Sequence, residues 1–169
     1  MSDILIRRAE MSDALVIASY NDALAVESEA RHLDPAITVP SVEAVIEDYN
    51  KGFYLVAEAG GEVIGQLMVT WEWSDWRGGV MWWVQSVYVR EDFRRKGIYR
   101  KLYTHLRNMA QGDEQCRGIR LYVETENVRA QKTYASLGMK KASYFVFEED
   151  FVFTDHRPGE GKSEGEGGT

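Results

Sequence analysis

The sequence predicts a single α/β domain, and three observations carry that prediction. Short runs rich in β-branched and aromatic residues alternate with segments whose apolar residues recur every three or four positions, the signatures of strands and helices. Two Gly-rich reversals, Gly60-Gly61 and Gly78-Gly79, join strand-like runs as hairpins. At Gly97 a strand pattern gives way to a helical one within a few residues.

Taken in order, Ile4-Leu5-Ile6 reads as a first strand. Ser12-Asp13 is a suitable helix N-cap, and Ala14, Ile17, Tyr20 or Asn21, and Leu24 give the following helix an apolar face. The stretch 26–39 is polar and irregular, with Pro35 interrupting it, and is expected to be a loop. Ser41 is expected to cap a second helix carrying Val42, Val45, Ile46 and Tyr49, with Gly52 just past its end.

Strands are predicted over 53–58, 63–73 and 80–89, the last two joined through Ser74-Asp75 and Gly78-Gly79. All five Trp lie between Trp71 and Trp83. Trp71 and Trp73 share a strand face, whereas Trp82 and Trp83 point to opposite faces. Packing accounts for most of them, and Trp76, at the turn, is a candidate wall of an acceptor cleft. After the helix that follows Gly97, a strand is expected over 119–123, a short helix over 127–137 ended by Gly138, and further strand over 141–153. The domain is thus assigned to 1–153, and the Gly- and Glu-rich 154–169 to a disordered tail.

Composition narrows the function classes. A chain of 169 residues with 44% hydrophobic and 28% charged residues has the makeup of a soluble globular domain. No run approaches the ~20 apolar residues of a membrane span. The N-terminus lacks the pattern of a secretory signal, so a cytoplasmic location without membrane partners is expected. Cys116 is alone and lies in a polar stretch; the His residues have no metal-ligand spacing, and no metal is expected. The elbow G-x-S-x-G, G-x-G-x-x-G and the P-loop pattern are absent.

The net charge of −7 argues against nucleic acid as the main partner. Yet between Arg90 and Arg107 seven Lys or Arg face two acids. Arg94, Arg95, Lys96, Arg100 and Lys101 crowd a helix start, where the macrodipole already disfavours cations. Free N–H groups of a first turn, a Gly that permits close approach and flanking cations together describe a phosphate or pyrophosphate cradle. The alternative is a solvated basic helix end. A focused positive site on an acidic chain suits one polyanionic small molecule.

At these residues the chain resembles the GNAT superfamily of N-acetyltransferases, whose signature is Arg or Gln, two residues, Gly, one residue, then Gly or Ala. Here it reads Arg94-Arg95-Lys96-Gly97-Ile98-Tyr99, with Tyr99 departing from the small residue. A second stretch of resemblance is ENVRAQKTYASLGM, with Asn127, Ala130, Tyr134 and Gly138-Met139. The resemblance spans roughly 4–153. It implies a mixed, mostly antiparallel twisted sheet with a splayed central strand pair, flanked by about four helices.

It further implies acetyl-CoA as co-substrate, its pyrophosphate held at Arg94 to Arg100 with Ile98 and Tyr99 among them, and its pantetheine arm paired to Val87, Tyr88 and Val89 and bonded by Asn127. One N–H of the splayed strand is implied to stabilise the developing oxyanion. Tyr134 is implied near the coenzyme sulfur; read without the resemblance, Asn127 is an N-cap and Tyr134 an amphipathic core residue.

Acetyl transfer needs a neutral amine, and deprotonating an alkylamine at pH 7 costs about 4.6 kcal/mol. Full proton transfer from Tyr134 to a leaving thiolate is uphill by about 2 kcal/mol in water, so a hydrogen-bond donor is the better role. The strand position where some GNAT enzymes carry Glu holds Trp83, which leaves Glu124, Glu29 and Glu27 as base candidates, each equally readable as a solvated carboxylate. The expected acceptor is a small-molecule or peptide amine; Glu27, Glu29 and Asp34 together with the Trp-rich hairpin around Trp76 lean toward a cationic or aromatic one. The resemblance also admits a homodimer. The rival function is a non-catalytic acyl-CoA sensor that keeps the cradle and transfers nothing.

Overall fold

A computed structural model describes residues 3–153 of the chain. Strand β1 (Ile4–Arg8) is followed by helices α1 (Ala14–Glu29) and α2 (Pro35–Glu47), then strands β2 (Phe53–Ala59), β3 (Glu62–Ser74) and β4 (Gly79–Val89). Helix α3 (Ile98–Gly112), strand β5 (Cys116–Leu121) and helix α4 (Val128–Ser136) complete the elements. The five strands form one sheet in chain order, antiparallel from β1 to β4 and parallel between β4 and β5. This is the mixed, mostly antiparallel sheet that the sequence implies.

Both faces of β2 and of the first half of β3 are covered, which is why these segments are apolar on alternate and intervening positions alike. On one face α3 buries Ile98, Leu102 and Leu106 against Leu55, Leu67, Val69, Trp82 and Val84. On the other, Ile17 of α1 and Val42 and Val45 of α2 pack on Tyr54, Val56 and Val63. Trp71 and Trp82 meet edge to face at 5.4 Å within the first core, so packing accounts for these two. Trp73 and Trp76, at the β3–β4 hairpin tip, are exposed.

Several sequence expectations need correction. The loop expected over 26–39 shrinks to 30–34, because α1 runs on to Glu29 and α2 begins at Pro35. Pro35 starts the helix: its missing N–H costs nothing at the first position, and Asp34 caps the helix through the Ala36 amide at 2.9 Å. Ser41 lies inside α2, donating to the Ile37 carbonyl. Strand β5 begins at Cys116 and ends at Leu121, so Cys116 is a half-buried strand residue. Residues 141–153 form no strand, and their aromatic side chains stand exposed. The tail assigned to 154–169 lies outside the described residues.

Asp13 stands before α1 as the expected N-cap, but its carboxylate turns back to accept from the Glu10 amide at 2.8 Å and from Arg7 at 2.7 and 3.0 Å. Arg7 also reaches Glu58 of β2, so the pair ties β1, α1 and β2 together. Burial pushes the Asp13 carboxyl up, but the Arg7 and Glu10 bonds outweigh it and hold it below the ordinary carboxylate value. That stability is present above about pH 4 and lost as pH falls through the depressed value. Asp13→Asn is therefore expected to cost about 2 kcal/mol at pH 7. Thermal melts should show the gap between the two proteins narrowing as pH is lowered below about 4.

Candidate active site at the fork of the sheet

The site starts from one residue with unusual backbone. Ser86 has φ +48°. In the β3–β4 ladder Gln66 faces Tyr88 and Met68 faces Gln85, so Ser86 and Val87 together oppose the single residue Leu67. This bulge shifts the pleat by one: Val87 and Val89 turn to the α3 core, and Tyr88 stacks on Tyr20 of α1 at 4.8 Å. Beneath it the buried Gln66 amide donates to Asn21 at 2.8 Å and to the Ser86 carbonyl at 3.4 Å. Gln66 and Asn21 thus brace the bulge from β3 and α1.

The same point marks the end of the parallel pairing. Val84 opposite Leu121 is the last β4–β5 pair, whereas β4 continues to Val89 against β3 alone. The sheet therefore forks, and among the described residues no strand covers the β5 side of 85–89. One exception limits that open edge: the Val89 carbonyl accepts the Arg94 Nε at 2.8 Å.

At the mouth of the fork a turn leads from β4 into α3. Arg95 has φ +66° and Gly97 φ +77°, which reverse the chain so that α3 begins without any side-chain cap. Among the described residues the amides of Arg95, Lys96 and Gly97 donate to no protein group, and the first turn of α3 has no preceding carbonyls to use. A Cβ built on Gly97 would meet nothing within 4 Å. The result is a patch of outward main-chain donors with open space before it, the arrangement that binds phosphate oxygens.

The side chains of the turn divide into two kinds. Arg95, Lys96 and Arg100 are exposed; Lys96 lies over the Phe93 ring, and Arg100 reaches Ser136 of α4 at 3.3 Å. Arg94 is spent on structure, since besides Val89 it pairs with Glu27 of α1 at 2.6 Å. Glu27, a base and acceptor candidate by sequence, is therefore a clamp on the turn. Both partners are partly exposed, so the pair is worth about 0.2–1 kcal/mol. Glu27→Ala is expected to weaken coenzyme affinity only about two- to fivefold, read by titration calorimetry.

Tyr99 does not obstruct the donors. Its ring lies between Tyr103 at 6.1 Å and Tyr134 of α4 at 5.6 Å, and its hydroxyl is buried, with burial raising its pKa far above that of free tyrosine. The large residue at the motif's last position thus anchors α4 against α3. Tyr134 comes to the start of α3 in this way, and burial pushes its phenol up too. Asn127 caps α4 through the Ala130 amide at 3.0 Å, the role its position alone suggests.

A second cluster occupies the sheet face that α1 and α2 leave open. Glu72 of β3 accepts from the Trp83 indole and from Arg120 of β5 at 2.7 and 3.0 Å, and Trp83 packs on Tyr122 at 4.5 Å. Trp83 stands one residue before the last β4–β5 pair, so this carboxylate lies beside the fork. Sequence reasoning missed Glu72, whose only signal was alternation within the Trp-rich β3, and Arg120, a lone cation in the apolar part of β5. Trp76, 86% exposed at the hairpin tip, lines the same cleft as Glu72 and Arg120, whereas Glu124 follows β5 as an exposed residue and Glu29 closes α1.

The model of the acetyltransferase (GNAT) family matches residues 19–139. The chain belongs to that family. This GNAT chain is an acyltransferase, and no curated protein sequence matches it. Among solved structures it is similar to a possible acetyltransferase from Clostridium difficile 630, with 43% identity over 88% of this chain and 98% of that one, at a TM-score of 0.81. An aminoglycoside N-acetyltransferase in complex with CoA shares the fold at 18% identity, TM-score 0.70, covering 89% and 97% of the two chains. So does the ribosomal-protein-alanine N-acetyltransferase of Brucella melitensis biovar Abortus 2308, at 19% identity, TM-score 0.71, covering 88% and 98%.

Proposed function

We propose that this GNAT chain transfers the acetyl group of acetyl-CoA to a primary amine of a small molecule or peptide, and that residues 1–153 are the catalytic unit. The observation that carries the reading is the set of unpartnered donors at the turn into α3, with no protein atom near the position a Gly97 Cβ would take. That cradle fits a pyrophosphate, and the open β4 edge beside it fits an extended amide-bearing arm. The solved aminoglycoside acetyltransferase of the same fold is in complex with CoA.

Bound acetyl-CoA supplies an activated thioester. The chain supplies position and polarity. The amides of 95–100 and the exposed Arg95, Lys96 and Arg100 hold the diphosphate, while the β5-facing edge of Val87, Tyr88 and Val89 aligns the pantetheine. A main-chain N–H of the bulged strand offers a donor to the acyl oxygen. Tyr134 keeps its proton and donates it in a hydrogen bond to the departing sulfur. Asn127 offers its remaining amide hydrogens to the arm.

For the acceptor, the face formed by Glu72, Trp83 and Tyr122 offers a carboxylate beside aromatic rings, which suits an amine. Glu124 and Glu29 remain the carboxylates of this reading that could take the amine's proton, since neither forms an ion pair among the described residues. Thiol release from acetyl-CoA across a panel of amines, including peptide N-termini, tests the reading. Turnover with any class establishes transfer; tight binding with no turnover anywhere would instead establish an acyl-CoA sensor.

A further inference from the structure

The sheet face that carries α1 and α2 continues past the fork toward the β3–β4 hairpin tip. Those helices pack on Tyr54, Val56, Val63 and Met68, and beyond Met68 the strands present a polar track. Cross-strand register sets its rows, with Met68 beside Gln85, Thr70 beside Trp83 and Arg120, and Glu72 beside Met81 and Gly118. Hydrogen bonds lock the track in place: the Gln85 amide donates to the Thr70 hydroxyl, the Trp83 indole to Glu72, and Arg120 to both Glu72 oxygens. At the tip it opens into a cleft of about 280 Å³, where Trp73, Asp75, Trp76 and Arg77 join Glu72 and Arg120. Trp73 and Trp76 are 68 and 86% exposed, and two neighbouring indoles left in water mark a contact surface.

Length decides what fits. From Gln85 at the fork to Gly79 at the tip the strand covers about 20 Å, the reach of about six extended residues. An amine carried on a single ring cannot touch both ends. Charge narrows the choice further, because Glu72 and Asp75 are set against Arg77 and Arg120, so a polyamine gains no net attraction. A peptide brings alternating donors and acceptors, and side chains for the indoles.

The far end of the track is closed. Tyr88 stacks on Tyr20 at 4.8 Å and Arg94 pairs with Glu27, so a chain leaves the fork in one direction only. That suits a chain end and not a lysine within a chain. At pH 7 an α-amine is about one-tenth neutral, against about one lysine in 2,500, so a chain end also asks less of a face whose carboxylate, Glu72, is already shared between Arg120 and Trp83.

We propose that the acceptor is the free N-terminus of an extended peptide, its amine at the fork and its fifth or sixth residue on Trp73 and Trp76. The inference rests on the transferase reading above and narrows it.

Thiol release from acetyl-CoA, with product masses, compares four acceptors: the amidated hexapeptide Ala-Ser-Gly-Ser-Phe-Gly, the amidated dipeptide Ala-Ser, an Nα-acetylated hexapeptide with one internal lysine, and spermidine. The first should exceed each of the others at least about tenfold in kcat/KM. In Trp73→Ala combined with Trp76→Ala, which replaces exposed rings and should leave the far-UV circular dichroism spectrum unchanged, the hexapeptide should lose its advantage over the dipeptide. Equal use of the two by the native chain, preference for the lysine peptide or spermidine, or a length advantage that survives the double substitution would overturn the proposal and leave the transferase reading standing. Turnover with none of the four would overturn it as well, and the wider amine panel then decides the transferase reading separately.

Discussion

Gly97→Glu is expected to abolish acetyl-CoA binding, a loss of more than about 100-fold against a chain that remains folded. Two effects combine. Gly97 has φ +77°, which a side chain adopts at a cost of about 1–2 kcal/mol in stability. Because the added Cβ meets no protein atom, the new carboxylate projects into the space before the free amides, where it competes for them and repels phosphate. Gly97→Ala separates the two effects, since it carries the backbone strain without the charge. Titration calorimetry should find the alanine variant clearly better at binding than the glutamate variant, with similar falls in melting temperature. Equal affinities would mean that backbone geometry, and not the anion cradle, was disturbed.

Tyr134→Phe is expected to lower kcat about 100-fold while leaving acetyl-CoA affinity within about twofold. Burial holds the Tyr134 phenol protonated beyond its ordinary range, so complete transfer of its proton to a thiolate is even less favourable than in water. What the residue offers is a fixed donor that strengthens as charge builds on sulfur. The sign of the pKa shift gives a second readout: the native pH profile should show no descending limb from Tyr134 below about pH 10. A phenylalanine variant with full activity removes Tyr134 from the chemistry, although its packing on Tyr99 stays intact.

How much of this was legible beforehand depends on the range of the interaction. The strand-to-helix change at Gly97, the hairpins at Gly60-Gly61 and Gly78-Gly79, and the apolar stripe of α3 are local patterns, and the structure follows them. Pro35 misled because a proline that breaks one helix and one that opens the next look alike until the Asp34 cap is seen. The fork rests on the φ of Ser86, a residue with no intrinsic need for a left-handed backbone, so only the resemblance implied it. Arg94 and Glu27 are 67 positions apart, and Glu72 meets Arg120 across 48, distances at which pattern carries no information. The strip 144–153 reads as strand because its composition is that of a strand, yet it pairs with none of the five described strands.

The central claim is that the turn into α3 and the open edge of β4 together grip the coenzyme. Titrating the 15N-labelled chain with CoA and following the amide resonances tests it at the atoms concerned. The account predicts that the largest shifts fall on residues 95–100 and 87–89, with the β1–β2 end of the sheet unmoved. Saturable binding that shifts amides elsewhere and leaves Gly97 and its neighbours in place would contradict it.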